Sequence, residues 1–349
     1  MDPRDRTVSR RGVLAGAGIG IGAGLLAELG SSQARAQSAA MKPEKPPSGR
    51  IWSGDYWAKK GDVSLYLFRK RLGAPKPGTS PLPVLFLVHG SSISSRPSFD
   101  LTVLKHGEYS VMNVFAELGY DVWTMDHENY GRSSRTKGNS DIASGVEDLK
   151  AGTELVVRET GRQKLHMFGE SSGALRAGAF AMARPERIDR LVFSAFTYKG
   201  EGSPTLKKRA EQLEYYRTHN LRLRDSAMIH SIFTRDKPGT SDPALADYIA
   251  EQELKFGDQV PTGTYLDMTA NLPVVDPAKV TAPVLLLRGE YDGIATVDDI
   301  FAFFRALPNG DRQFVILPGT AHSVVLGLNR REFWHAMHAF LTMPKPVEA

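Results

Sequence analysis

Between Val63 and Leu341 the hydrophobic pattern changes period again and again. Val63-Ser64-Leu65-Tyr66-Leu67-Phe68 reads as a strand with period two. Val84-Leu85-Phe86-Leu87-Val88 is a continuous apolar run, expected of a strand buried on both faces of a parallel sheet. The pattern then predicts a helix over 111–118, a strand over 121–125 and a helix over 142–160. A strand at 165–168 runs into a helix over 174–183, and a further strand covers 191–196. A strand over 284–287, a helix over 298–307, a strand over 314–317 and a helix over 331–341 complete the series. Strands alternating with helices imply an α/β protein with a mostly parallel, doubly wound sheet and ligands at the carboxyl ends of its strands. No internal repeat is visible.

The alternation breaks between about 200 and 271. Leu213-Glu214-Tyr215-Tyr216, Met228, Ile229, Ile232, Phe233, Tyr248, Phe256 and Tyr265 fall there. This stretch is expected to be a helical cap inserted into the sheet domain, closing over its mouth and giving the ligand site an apolar wall. Plain packing accounts equally well for about half of these side chains.

The N-terminus follows a different logic. Ser9-Arg10-Arg11-Gly12-Val13-Leu14 leads into a glycine-rich apolar stretch that ends near Leu29 and is followed by Ala34-Arg35-Ala36. A basic region, a short apolar region and an A-x-A site mark a cleaved export signal, and the paired arginines point to the twin-arginine route. The apolar window from Val13 to Ala27 is shorter than the ~20 residues that span a bilayer, so no stable membrane span is expected. Residues 1–36 are therefore read as the signal, cleaved after Ala36 by this reading, and 37–50 as a Pro/Lys/Ser/Ala leader. Residues 51–349 form the α/β domain with its insertion. The expected location is the periplasm or the outside of a bacterial cell, with the twin-arginine machinery as the precursor's partner.

Charge and composition narrow the chemistry. The signal holds five of the 44 Lys and Arg residues and three of the 39 Asp and Glu residues, so its loss takes the net charge from +5 to +3. No dense Lys/Arg run with interleaved aromatics is present, and no nucleic-acid partner is expected. The chain has no cysteine, which excludes disulfides and thiolate metal sites. Asp126-His127-Glu128 sets adjacent residues on opposite sides of an extended segment, so no metal is expected.

Gly169-Glu170-Ser171-Ser172-Gly173 places a serine between glycines where a strand turns into a helix. A turn this sharp needs residues without a β-carbon on both sides and holds the serine exposed in a strained conformation. Asp292 follows the strand ending in Leu285-Leu286-Leu287, and His322 follows the next. A serine hydroxyl needs a base to lose its proton at neutral pH, and an imidazole base needs a carboxylate to fix its tautomer. Each has a structural alternative: Ser171 as a helix cap, Asp292 as a cap with Glu290 as the substitute acid, His322 as a packed histidine like His335 and His338.

From Val63 to the C-terminus the chain resembles the α/β-hydrolase superfamily. Besides the serine corner, the matching pieces are His89-Gly90-Ser91-Ser92, the segment Asp126 to Ser134, Gly289-Glu290-Tyr291-Asp292 and Gly319-Thr320-Ala321-His322. The order Ser, Asp, His is that of the superfamily. The resemblance implies an oxyanion hole built from the backbone N–H groups of Ser172 and Ser91; His89 is read as shaping that loop, and Asp126 to Ser134 as a structural Gly/Ser turn that its Arg can pin by hydrogen bonds. It implies a serine hydrolase, by the N-terminal reading an exported one, that cleaves a carboxylic ester of a small or medium molecule through an acyl-enzyme, without a cofactor. Lactonase, amidase and acyltransferase activities share every one of these residues, and a catalytically silent ligand-binding protein would keep the same pocket.

Overall fold

A computed structural model describes residues 49–103 and 105–344. Residues 1–36, read above as a signal, and most of the segment 37–50 lie outside them. In chain order the first elements are β1 (Ile51–Lys60), β2 (Val63–Leu72), β3 (Val84–Val88), α1 (Ser95–Phe99), α2 (Val111–Glu117) and β4 (Asp121–Met125). Next come α3 (Ile142–Thr160), β5 (Leu165–Glu170), α4 (Ser172–Ala183) and β6 (Ile188–Ser194). The insertion comprises α5 (Pro204–Ala210), α6 (Leu213–Thr218), β7 (Leu221–Leu223), α7 (Ser226–Thr234), α8 (Pro243–Leu254), β8 (Gln259–Pro261) and α9 (Gly263–Ala270). The chain then returns through β9 (Val284–Gly289), α10 (Val297–Ala306), β10 (Arg312–Leu317) and α11 (Arg330–Leu341).

Eight strands form one sheet in the order β1-β2-β4-β3-β5-β6-β9-β10. The pairs β1–β2 and β2–β4 are antiparallel, and all the others are parallel. The continuous apolar run of β3 is buried along its whole length, with β4 and β5 as neighbours, as a central strand covered on both faces requires. On one face Leu149 and Val156 of α3, Leu175 and Phe180 of α4 and Phe303 of α10 pack onto Phe86, Met167 and Leu286. On the other, Phe115 of α2 and Phe333, Met337 and Phe340 of α11 pack onto Leu85, Phe168 and Leu285. Helix α3 is closed at both ends by its sequence. The Asp141 side chain accepts from Ser144 N–H, and Gly161 takes the left-handed conformation at φ 73°.

Strand β1 is absent from the sequence reading. Its exposed edge carries a half-exposed Trp57 and three lysine or aspartate positions, so apolar residues do not alternate cleanly. The insertion is mainly helical, as the sequence indicates, but it also holds a two-stranded antiparallel sheet of β7 and β8. These strands are only three residues each, below the length at which a period can be read. Among the described residues, no helix is long and apolar enough to cross a membrane.

Candidate active site

Because β3, β5, β9 and β10 run parallel, their carboxyl ends share one edge of the sheet, and the loops that leave them meet there. Ser171 sits between β5 and α4 with φ 58° and ψ −125°, a region that non-glycine residues rarely enter. The two flanking glycines allow it. A β-carbon on Gly169 would lie 2.4 Å from the Gly173 carbonyl oxygen, and one on Gly173 would lie 2.2 Å from that of Val88. Backbone pairing secures the corner, since Ser171 N–H donates to Ser194 O at 2.8 Å.

His322 Nε2 lies 3.1 Å from Ser171 Oγ, and His322 Nδ1 lies 2.9 Å from Asp292 Oδ1. Asp292 Oδ1 also accepts from Ile294 N–H at 3.0 Å. Burial alone would raise the Asp292 carboxyl, but His322 and the Ile294 N–H outweigh it and hold the group below its ordinary value. A carboxylate that stays ionised fixes the Nδ1–H tautomer of His322, leaving Nε2 free to accept the serine proton. The two loops are tied to each other: Tyr291 N–H donates to Thr320 O, and Gly319 N–H donates to Glu290 Oε2 at 2.8 Å. Glu290, the alternative acid, is thereby committed to the loop backbone. His335 and His338 lie on α11, where His338 packs edge-on against Phe115 and Tyr120.

Ser171, His322, Gly90, Ser91 and Ser92 line one narrow cleft. Ser172 is the first residue of α4, so its N–H has no partner within the helix and is available to an oxygen atom beside Ser171. Its side chain is buried and accepts a hydrogen bond from Ser91 Oγ at 2.8 Å, while Thr264 Oγ1 donates to Ser91 Oγ at 2.8 Å. Tyr130 OH donates to Ser91 O at 2.9 Å. Ser91, which lines the cleft, is thus pinned through its hydroxyl and its carbonyl.

His89 is set by its two neighbours. Its Nδ1–H donates to Gly90 O at 2.8 Å and its Nε2 accepts from His127 N–H at 3.1 Å. Burial pushes this imidazole well below its ordinary value, so it stays neutral and shapes the loop. Asp126 accepts from Ser95 N–H and Arg132 N–H, His127 faces Asp148, and Glu128 faces Lys60 at 2.6 Å. Glu128 N–H also donates to Asp148 Oδ2 at 3.0 Å and Lys60 pairs with Asp148 as well, so His127 and Glu128 share one charged network while Asp126 is engaged elsewhere.

Three further residues at the cleft, and Asp236 beside it, were not singled out in the sequence. Glu170 precedes the serine and lines the cleft, and burial pushes its carboxyl up to about 8. Arg209 and Arg235 reach it from the insertion. Asp236, Asp292 and His322 each place one ligand-type atom within 4.8 Å of the others. Arg235 Nε, 3.7 Å from Asp236 Oδ1, already supplies a positive charge there, and His322 and Asp292 are engaged with each other. Arg209, Arg235 and Asp236 lie far along the chain from the serine corner, so no local motif links them to it. Glu170 could have been noticed as a carboxylate beside a strained serine.

Unfolded, Glu170 ionises at its ordinary carboxyl value, while in the fold it keeps its proton until about 8. Its contribution to stability is therefore complete at acid pH and is lost as pH rises through the folded value. Glu170→Gln is expected to match the parent at pH 4.5 and to exceed it at pH 9 by a margin on the order of a few kcal/mol in urea unfolding. An offset that does not change with pH would contradict a Glu170 that holds its proton in the fold.

The insertion is anchored beside this cleft. Glu253 of α8 accepts from Ser94 N–H at 2.7 Å and pairs with buried Arg224, which also donates to Ser92 O. The apolar side chains expected to wall the site are mostly used elsewhere. Ile229 and Phe233 join the core on the α2 and α11 side, together with Leu245 and Ile249, which were not among them, and Tyr216 and Tyr265 cluster with Tyr130. Of those named from the sequence, Ile232 is the one that reaches the cleft.

The family model described as serine aminopeptidase, S33, matches residues 106–328. The chain is similar to the bromoperoxidase of Bacillus anthracis at 20% identity, with 83% of this chain and 100% of that one covered and a TM-score of 0.60. Similar values hold for an esterase from Thermogutta terrifontis, at 18% identity over 83% of this chain and 98% of that one, TM-score 0.60. Epoxide hydrolase A of Mycobacterium thermoresistibile is 18% identical over 83% of this chain and 98% of that one, TM-score 0.61. Sheet order, loop placement and the family match agree: the chain is a hydrolase of the α/β-hydrolase fold and belongs to the serine aminopeptidase S33 family.

Proposed function

We propose that the protein is an exported serine hydrolase that cleaves a carboxylic ester of a small or medium molecule through an acyl-enzyme. The observation that carries this reading is the continuous chain of contacts from Ser171 Oγ through His322 to Asp292, in a cleft floored by the H-G loop. Ser171 Oγ attacks the ester carbonyl while His322 Nε2 takes its proton. The Ser172 and Ser91 N–H groups receive the developing oxyanion, a contribution of about 3 kcal/mol per donor. His322 then returns the proton to the departing alkoxide, and water, activated by the same nitrogen, releases the acid.

The family description would suit an aminopeptidase, whose substrate presents an ammonium group. The cleft supports the ester reading instead, because its charged lining is Arg209 and Arg235, beside a Glu170 that holds its proton at neutral pH. Lactones and acyl transfer to other acceptors use the same groups. A screen of the mature chain against esters, lactones, amides and aminoacyl anilides of graded size tests this. Turnover is expected on esters first; preference for aminoacyl anilides would replace the reading with peptidase action, and silence on all of them would support a ligand-binding role.

Export rests on residues outside the described structure. Replacing Arg10 and Arg11 together by Lys is expected to retain active precursor in the cytoplasm. Unchanged processing and periplasmic recovery of the double variant would point to the general secretory route.

A further inference from the structure

Beyond the narrow cleft at Ser171 lies a wider one of about 540 Å³, lined by Pro204, Thr205, Tyr216, Arg222, Asp236 and Gly293, among others. Arg209 and Arg235 line both, so whatever extends from the serine into the wider space passes two guanidinium groups. Arg222 is a third. Arg209 and Arg222 each lie over the Tyr265 ring, at 5.0 and 4.8 Å from its centre, and Tyr265 OH is 2.7 Å from Ser92 Oγ of the H-G loop. One aromatic ring thus holds two cations and is itself fixed to the loop that floors the serine cleft.

The carboxylates nearby do not balance these charges. Glu211 is paired with Lys208 at 2.7 Å, and Asp236 stands against Arg235. The polar contacts of Arg209 and Arg222 among the described residues are neutral: Met268 Sδ at 3.6 Å and Tyr216 OH at 3.5 Å. Burial and the charges of Arg235 and Arg222 push Arg209 down to about 10, a value at which it remains charged at neutral pH but gains from an incoming anion. A half-buried guanidinium left without a carboxylate recognises carboxylate or phosphate oxygens bidentately.

We infer that the substrate carries an anionic group, carboxylate or phosphate in geometry, a few atoms from the scissile carbonyl, and that Arg209 and Arg222 bind it with Arg235 beside them. This specificity rests on the ester-hydrolase reading of the same site. It accounts for an insertion that brings arginine where an apolar wall was expected.

The test compares 4-nitrophenyl esters of one chain length with three ends: hexanoate, adipate and 5-phosphonopentanoate. Hexyl acetate and 6-acetoxyhexanoate repeat the comparison on the alcohol side. At least one anionic ester is expected to exceed its neutral counterpart in kcat/KM by tenfold or more, with the preference shrinking as salt is raised. Whether the carboxylate or the phosphonate end is favoured identifies the anion. In Arg209→Met and Arg222→Met the preference is expected to fall toward one, chiefly through KM, while Arg209→Lys retains part of it. Since a variant of a packed residue can misfold, the comparison within the parent enzyme decides the matter by itself. Neutral esters equal to or better than anionic ones on both sides would overturn the inference. Labelling of Ser171 by a fluorophosphonate in the same preparation separates the two failures: a labelled enzyme without anion preference loses only the arginine site, whereas an unlabelled one loses the hydrolase reading as well.

Discussion

Replacing Ser171 by Ala is expected to lower kcat for ester hydrolysis on the order of 10⁶-fold, leaving only what binding and the backbone amides supply. His322→Ala is expected to fall to nearly the same level. The two groups act as one unit, because a serine without its base keeps its proton and a base without its serine has nothing to activate. The double variant should therefore lose little more than either single one. Neither change should disturb the fold, since both side chains border the cleft, and urea midpoints close to the parent's would show it. Losses that multiply in the double variant would mean that the two residues act independently, contrary to their 3.1 Å contact.

The second large effect concerns the acid. Asp292→Asn is expected to lower kcat by up to about 10⁴ with the fold intact. An amide NH₂ at that place would donate to His322 Nδ1, move the ring proton to Nε2 and point it at Ser171 Oγ, so the base could no longer accept. Glu290→Gln is the control, because Glu290 bonds the Gly319 N–H and does not reach the imidazole. It is expected to cost far less in kcat. Steady-state kinetics of the two variants side by side would reverse the assignment of the acid if Glu290→Gln were crippled and Asp292→Asn nearly normal.

What the sequence disclosed and what it withheld follow from how far apart the interacting residues lie. The buried strands β3 to β6 and the two-sided helices were legible because burial on both faces leaves long apolar runs, and the ends of α3 because Asp141 and Gly161 mark them locally. The serine corner was legible because a tight turn imposes glycine at two positions within five residues. Strand β1 was not, since an exposed edge strand does not require alternation. In the insertion the side chains pack in several directions at once, some into the main core, some onto Tyr130, and the sequence does not say which. The same holds for Arg209, Arg222, Arg235 and Asp236, whose meaning depends on folding over a cleft built by residues from distant parts of the chain, and for Glu170, whose raised carboxyl comes from burial that no local pattern reports.

The most direct test of the account is covalent. Incubation of the purified protein with a fluorophosphonate, followed by peptide mapping by mass spectrometry, is expected to place a single adduct on Ser171. Ser172 should stay unmodified, since its hydroxyl is buried against Ser91 Oγ. Labelling should disappear in Ser171→Ala and nearly so in His322→Ala, because only a hydroxyl with a base in reach and amides waiting for the oxyanion reacts at a useful rate. An adduct on another serine, or unreduced labelling and turnover in Ser171→Ala, would contradict the mechanism.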